Sequence, residues 1–230
     1  MNNIFLILFF FYSNLFSQLK TIQVEYQVID IIKQYKKTIK NSKRGDFMVD
    51  KAMKQKFNLY FNDNLSGFLF AKNSYKDDSE KRIDLLIRYS FTYGNNYFLN
   101  KIKNKSYTQN HEGILIEDEI KTLNWKITKD SKKIDIYTCY RAILEIKYTA
   151  RDNNVKTKII TAWFAPQLPY SYGPLEYYGL PGLIIELQDR NTTYQMNKIK
   201  FDTKELIKIP KGKTISKEAY DAKLKAQMGI

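Results

Sequence analysis

The stretch Tyr140-Arg141-Ala142-Ile143-Leu144-Glu145-Ile146-Lys147-Tyr148-Thr149 decides the fold class. Its even positions are Tyr, Ala, Leu, Ile and Tyr, while its odd positions carry Arg, Ile, Glu, Lys and Thr. Successive side chains of a strand point to opposite faces, so this is a strand with one packed and one wet face. Arg151-Asp152-Asn153-Asn154 then turns the chain, and Val155 to Phe164 returns with the same alternation, completing a hairpin.

Three further pairs surround it. Phe57-Leu59-Phe61 and Phe68-Phe70 flank Asn62-Asp63-Asn64. Gly94-Asn95-Asn96 divides the run from Ile83, read as a strand, from Tyr97-Phe98-Leu99-Asn100. Leu183 to Gln188 and Thr193 to Phe201 are joined through Asp189-Arg190-Asn191. Turn formers between alternating apolar runs are hairpin signals. Helical spacing is confined to Val28, Ile31, Ile32, Tyr35 and Ile39, and to a short terminal helix after Ser216, a candidate N-cap. The reading is a mainly β protein: one curved antiparallel sheet or half-barrel of hairpins, with one or two short helices. Such a sheet resembles, by fold-level analogy, periplasmic carriers of the LolA/LolB kind.

The chain has 230 residues, of which 43% are hydrophobic and 27% charged, which excludes wholesale disorder. An unbroken apolar run from Ile4 to Tyr12 has the length of a signal-peptide core and is too short to span a bilayer. Cleavage after Ser17 leaves residues 18–230 as one β-rich domain, exported to the periplasm or beyond, with no transmembrane segment after removal of the leader. One Cys and one His exclude a disulfide framework and a Cys/His zinc site, and no cofactor motif occurs.

Lys and Arg number 38 against 24 Asp and Glu, a net charge of +14. Nucleic acid is not the partner this implies. The arginines are only Arg44, Arg82, Arg88, Arg141, Arg151 and Arg190, the lysines are scattered, and the leader removes the chain from that compartment.

Residues 163–184 read WFAPQLPYSYGPLEYYGLPGLI and hold Pro166, Pro169, Pro174 and Pro181, four of the five prolines. Pro181-Gly182 suits the centre of a type II turn, with a positive φ at Gly182. Gly173-Pro174 makes a second break. Between them lie Tyr170, Tyr172, Tyr177 and Tyr178, so the segment is a stiff connection between two strands. These four rings and Trp163 are the candidate ligand-binding residues; the other reading is that the rings fill the core under a capping loop.

Gly179-Leu180-Pro181-Gly182-Leu183-Ile184 resembles the signature of the GLPGLI family, exported proteins of Bacteroidetes-type bacteria with no established activity. Trp125, Cys139, Ala142, Trp163, Pro166, Leu168-Pro169, Gly173-Pro174 and Asp189 extend the resemblance, with Thr157-Lys158 where the family often has Gly-Arg. The resemblance implies an antiparallel β architecture and the cell envelope; it supplies no reaction.

No catalytic residue is assigned. His111 reads as a loop histidine and Cys139 as a packed mid-strand thiol; the pairs Asp77-Asp78 and Glu117/Asp118/Glu119 read as solvated faces. Three functions stay open: a non-catalytic binding or carrier protein for an apolar small molecule, an accessory protein docking to an outer-membrane or secreted partner, and an envelope hydrolase.

Overall fold

The computed structural model describes residues 20–31, 43–71, 74–150 and 154–228. The apolar leader and its cleavage point, the positions Ile32 to Ile39 and the turn at Arg151 to Asn153 lie outside the described residues. Chain order is β1 (Thr21–Ile31), α1 (Lys43–Met53), β2 (Lys56–Phe61), β3 (Leu65–Phe70), α2 (Asp78–Thr92), β4 (Asn96–Asn100), β5 (Lys105–Gln109) and β6 (Leu115–Glu119). There follow β7 (Lys126–Ile134), β8 (Tyr137–Thr149), β9 (Val155–Ala165), β10 (Leu183–Asp189), β11 (Thr192–Thr203), β12 (Thr214–Ser216) and α3 (Lys217–Met228).

All twelve described strands join one open curved sheet in the order β12-β6-β5-β4-β3-β2-β1-β11-β10-β9-β8-β7. Mainly β with paired hairpins is thus the architecture, and β2/β3, β8/β9 and β10/β11 pair as their alternation implies. β1 lies near the middle of the order and joins two meanders, pairing with β2 on one side and β11 on the other. Its inward positions Val24, Tyr26 and Val28 are buried, which is the alternation of a strand carried on to Ile31. Val28 and Ile31 therefore belong to a strand, not to the expected helix.

Three expectations need correction. The run from Ile83 is helix α2 and not a strand. Asp77 caps it, accepting from the Glu80 amide at 2.9 Å, and Tyr93 ends it in the left-handed region at φ 63. The apolar run fits either period, and the cap pair Asp77…Glu80 settles it. Described helices number three, not one or two. The sheet is also mixed: β12 runs parallel to β6, delivering Ser216 to cap α3 through the Ala219 amide at 3.2 Å. At the other edge β7 presents Lys126, Lys129 and Lys133 to solvent, charges that discourage edge-to-edge pairing.

The inner face holds one aromatic core. Phe57 stacks on Phe68 at 5.2 Å between centroids, and Tyr194 meets Phe57 edge-on at 5.4 Å. Each such pair adds about 0.5–1.5 kcal/mol beyond its buried area. Helix α1 lies against β1 and α2, and Thr92 Oγ1 donates to Gln55 Oε1 at 3.1 Å, tying the end of α2 to the residues after α1.

Candidate functional site

The connection from β9 to β10 is long, yet it closes on itself. The Gly179 amide donates to the Ser171 carbonyl at 3.0 Å, the Leu183 amide to Leu168 at 2.8 Å, and the Ile184 amide to Tyr172 at 3.0 Å. Leu168, Leu175 and Leu180 are buried and anchor it to the sheet. Two glycines are required for different reasons. Gly179 has φ +91, a conformation that L side chains rarely adopt. Gly182 lacks the positive φ expected of a type II turn; instead a Cβ there would stand 2.4 Å from the Ala165 carbonyl oxygen. Close approach of two backbones, not turn handedness, is what demands glycine at 182.

The candidate rings divide. Trp163 alternates with Ala162 and Phe164 and so lies on the opposite face of β9, under Lys132 Nζ at 4.4 Å. Tyr170 is half-buried against Phe61 at 5.1 Å. Tyr172, buried, donates to the Asn62 carbonyl at 2.9 Å, in the β2/β3 turn. Tyr178 Oη donates to the Lys121 carbonyl at 2.7 Å and accepts from the Lys121 amide at 3.1 Å, while its own carbonyl accepts from Trp125 Nε1 at 2.9 Å. The segment thus spans the concave face of the sheet from β2 to the residues after β6.

Tyr177 enters a buried polar cluster. Its hydroxyl donates to Asp189 Oδ2 at 2.8 Å, and Tyr93 donates to Asp189 Oδ1 at 3.0 Å. Lys158 Nζ donates to the same Asp189 Oδ2 at 2.9 Å and to Tyr177 Oη at 3.0 Å. The Asp189 side chain is 2% exposed and Lys158 14%. Burial, and next the Asp189 charge, push both phenols well above the usual tyrosine range, so they remain donors at neutral pH. With three donors on its carboxylate, Asp189 is occupied as an acceptor. The cluster latches α2, β9 and β10 to the 166–182 segment.

Between that segment and the inner face of β3–β6 lies a cavity of ≈ 260 Å³. The inner face of the sheet contributes Phe68, Tyr97, Ser106 and Thr108, with Phe98 and Tyr107 on the opposite face by register; the segment contributes Tyr172, Tyr177, Tyr178 and Glu176. Of the five rings chosen from sequence, the structure brings three together here and leaves Trp163 and Tyr170 outside. Sequence reasoning missed Tyr97, Glu176, Lys158 and the contact between Asp189 and Tyr93. Only Asp189 carried a signal, as an acidic residue at the end of a buried strand.

The remaining chemistry-bearing residues are dispersed. His111 is exposed and meets the Tyr89 ring edge at 5.0 Å. Cys139 is free and buried, its thiol pushed up to about 11 by burial. Asp77 caps α2, Glu117 pairs with Lys105 at 3.2 Å, and Asp118 pairs with Lys121 at 2.6 Å. Among the described residues no three His, Cys, Asp or Glu side chains are grouped to hold a metal ion.

Two solved structures share the fold at low identity: PNGF-II in a C2 and in a P21 space group. The TM-scores are 0.51 and 0.53, at 14% and 12% identity, with 91% and 88% of this chain covered. In each case the match covers 32% of the PNGF-II chain, so this chain spans about a third of that length. No curated protein matches the chain in sequence. Residues 125–186, from Trp125 through the Cys139 strand to the Gly179–Ile184 motif, match a family model described as a protein of unknown function, Porph_ging.

Proposed function

We propose that this is an exported, non-catalytic binding protein whose ligand occupies the cavity beneath the 170–182 segment. The supporting observation is the aromatic lining of that cavity, supplied jointly by Tyr172, Tyr177 and Tyr178 and by the inner face of the sheet. Ordered aromatic walls with a few polar groups are the make-up of small-molecule sites. Export rests on the apolar leader and on the resemblance of residues 163–184 to the GLPGLI family, a finer assignment than the matched family model. At ≈ 260 Å³ the volume falls just below the roughly 300–1,000 Å³ of drug-sized pockets, so the ligand is a small molecule and not a lipid chain.

Mass spectrometry of small molecules retained by the native protein tests this reading. Ser106, half-buried on β5, lines the cavity, and Ser106→Trp fills it. A compound recovered with the wild type and lost from a folded Ser106→Trp supports the reading. Nothing reproducible, or a compound held equally by both, overturns it.

A second reading, docking to an envelope or secreted partner, is favoured by α2. That helix buries Ile87 yet leaves Ile83, Leu85, Leu86 and Tyr89 exposed, Leu86 at 55%. The hydrolase reading draws no support from His111, which contacts a tyrosine ring and not a carboxylate.

A further inference from the structure

The charge lining the cavity runs against the charge of the chain. In a protein of net charge +14, the charged side chains that face the cavity are Asp118, Glu176 and Lys121, while Glu119 lies on the other face of β6, opposite Lys105. Lys121 is committed to Asp118. The two lysines whose charges act on Glu176 are also committed: Lys158 to Asp189, and Lys217 to Asp221 at 2.6 Å. Three ammonium groups thus have three carboxylates, and Glu176 is left over.

Glu176 stands on the segment side of the cavity. Among the described residues no hydrogen bond or ion pair reaches its side chain. The residue is exposed where it borders the cavity, and desolvation by the surrounding protein raises its pKa. An unpaired carboxylate beside aromatic rings at a cavity offers a cationic ligand a charged hydrogen-bond acceptor. The rings beside it add to the same preference. Tyr97, Tyr177 and Tyr178 line the same cavity, and aromatic rings attract a cation and cover an apolar body. A hard metal ion is the poorer occupant, because it needs several oxygen ligands converging and these residues are not so grouped.

We propose that the cavity binds a small organic cation, an ammonium group on an aromatic or apolar body, with Glu176 as its counter-ion. This rests on the binding reading above and specifies its ligand class. The size of the cavity limits the body to about one ring.

Trp125, whose ring meets Tyr177 edge-on at 6.2 Å, reports occupancy by fluorescence. Three probes of similar shape are titrated at low salt: 2-phenylethylamine, 2-phenylethanol and phenylacetate. The amine is expected to bind at least about tenfold more tightly than the alcohol, the equivalent of one well-placed charge contact. Phenylacetate is expected to bind more weakly than either. Glu176→Gln is expected to remove the preference for the amine while leaving the alcohol's affinity unchanged. Equal affinity for amine and alcohol in the wild type overturns the cation assignment and leaves the binding reading standing. So does an amine preference that survives Glu176→Gln, or displacement of the amine by stoichiometric calcium. Failure of all three probes, together with the absence of any retained compound in the mass spectrometry above, overturns the binding reading itself. The wild-type comparison needs no variant, so a folding defect in Glu176→Gln does not obscure the result.

Discussion

Tyr26 Oη donates to the main-chain carbonyl of Ile184 at 2.6 Å, from a strand two places away in the sheet. The contact falls where β10 is irregular: Ile184 faces Phe164 and Glu186 faces Trp163, so Ile185 is an extra residue and the ladder is interrupted. The phenol supplies a hydrogen bond at that interruption and joins the central strand to the Gly179–Ile184 motif. Tyr26→Phe leaves the Ile184 carbonyl without it, in a fully buried setting. A loss of about 1–3 kcal/mol is expected, read as a lower urea midpoint at unchanged slope.

Gly182 and Gly179 separate two kinds of glycine requirement. Gly182→Ala drives a methyl into the Ala165 backbone, which has no side-chain end to move aside, and costs about 1–3 kcal/mol or more. Gly179→Ala meets no atom within 4 Å and pays only for its φ of +91, about 1–2 kcal/mol. Thermal melts should rank wild type above Gly179→Ala, and Gly179→Ala above Gly182→Ala. The reverse order would remove the close-approach explanation.

Lys158 and Asp189 are buried together, so breaking the pair costs more than the pair contributes. Lys158→Met leaves a buried carboxylate with only phenol donors and is expected to destabilise by about 3–5 kcal/mol. Lys158→Met combined with Asp189→Leu should recover much of that loss. A double variant no more stable than Lys158→Met would refute a charge-based origin.

Alkaline pH should loosen the protein through its buried phenols. Burial raises the pKa of Tyr26, Tyr177 and Tyr194 above the usual value near 10. Their protons are held more tightly folded than unfolded. The stability this contributes is complete below pH 10 and declines as pH climbs above it. Tyrosinate absorbance should rise in two stages, exposed rings first near pH 10 and the buried ones only with unfolding. A single stage with the fold intact would contradict it.

Cys139 should be inert in the native state. Its side chain has no exposure and its thiol is raised to about 11, so both access and thiolate are scarce. Labelling by an aromatic disulfide at pH 8 should be slow without denaturant and accelerate in proportion to the unfolded fraction. Fast stoichiometric labelling of native protein would show that the strand opens locally.

How far the sequence could be read depends on the range of the interaction concerned. Period-two alternation is local, and it located β2, β3 and β8 to β11, because which face of a strand is buried is written residue by residue. It misplaced α2, since the run from Ile83 is apolar enough for either period and the capping pair Asp77…Glu80 had to arbitrate. Prolines and glycines marked residues 166–182 as a stiff connection, although Gly182 serves a close contact that no local rule anticipates. Pairing order, with β1 joining two meanders and β12 running parallel to β6, depends on contacts across the whole chain. Tertiary structure alone decided the site. Lys158, Tyr93 and Tyr177 converge on Asp189 from three separate segments, and Glu176 becomes a cavity carboxylate only once β3–β6 curve over it. Alternation records burial, a property of each residue with its surroundings averaged; a site is a property of which distant residues meet, and only the folded chain specifies that.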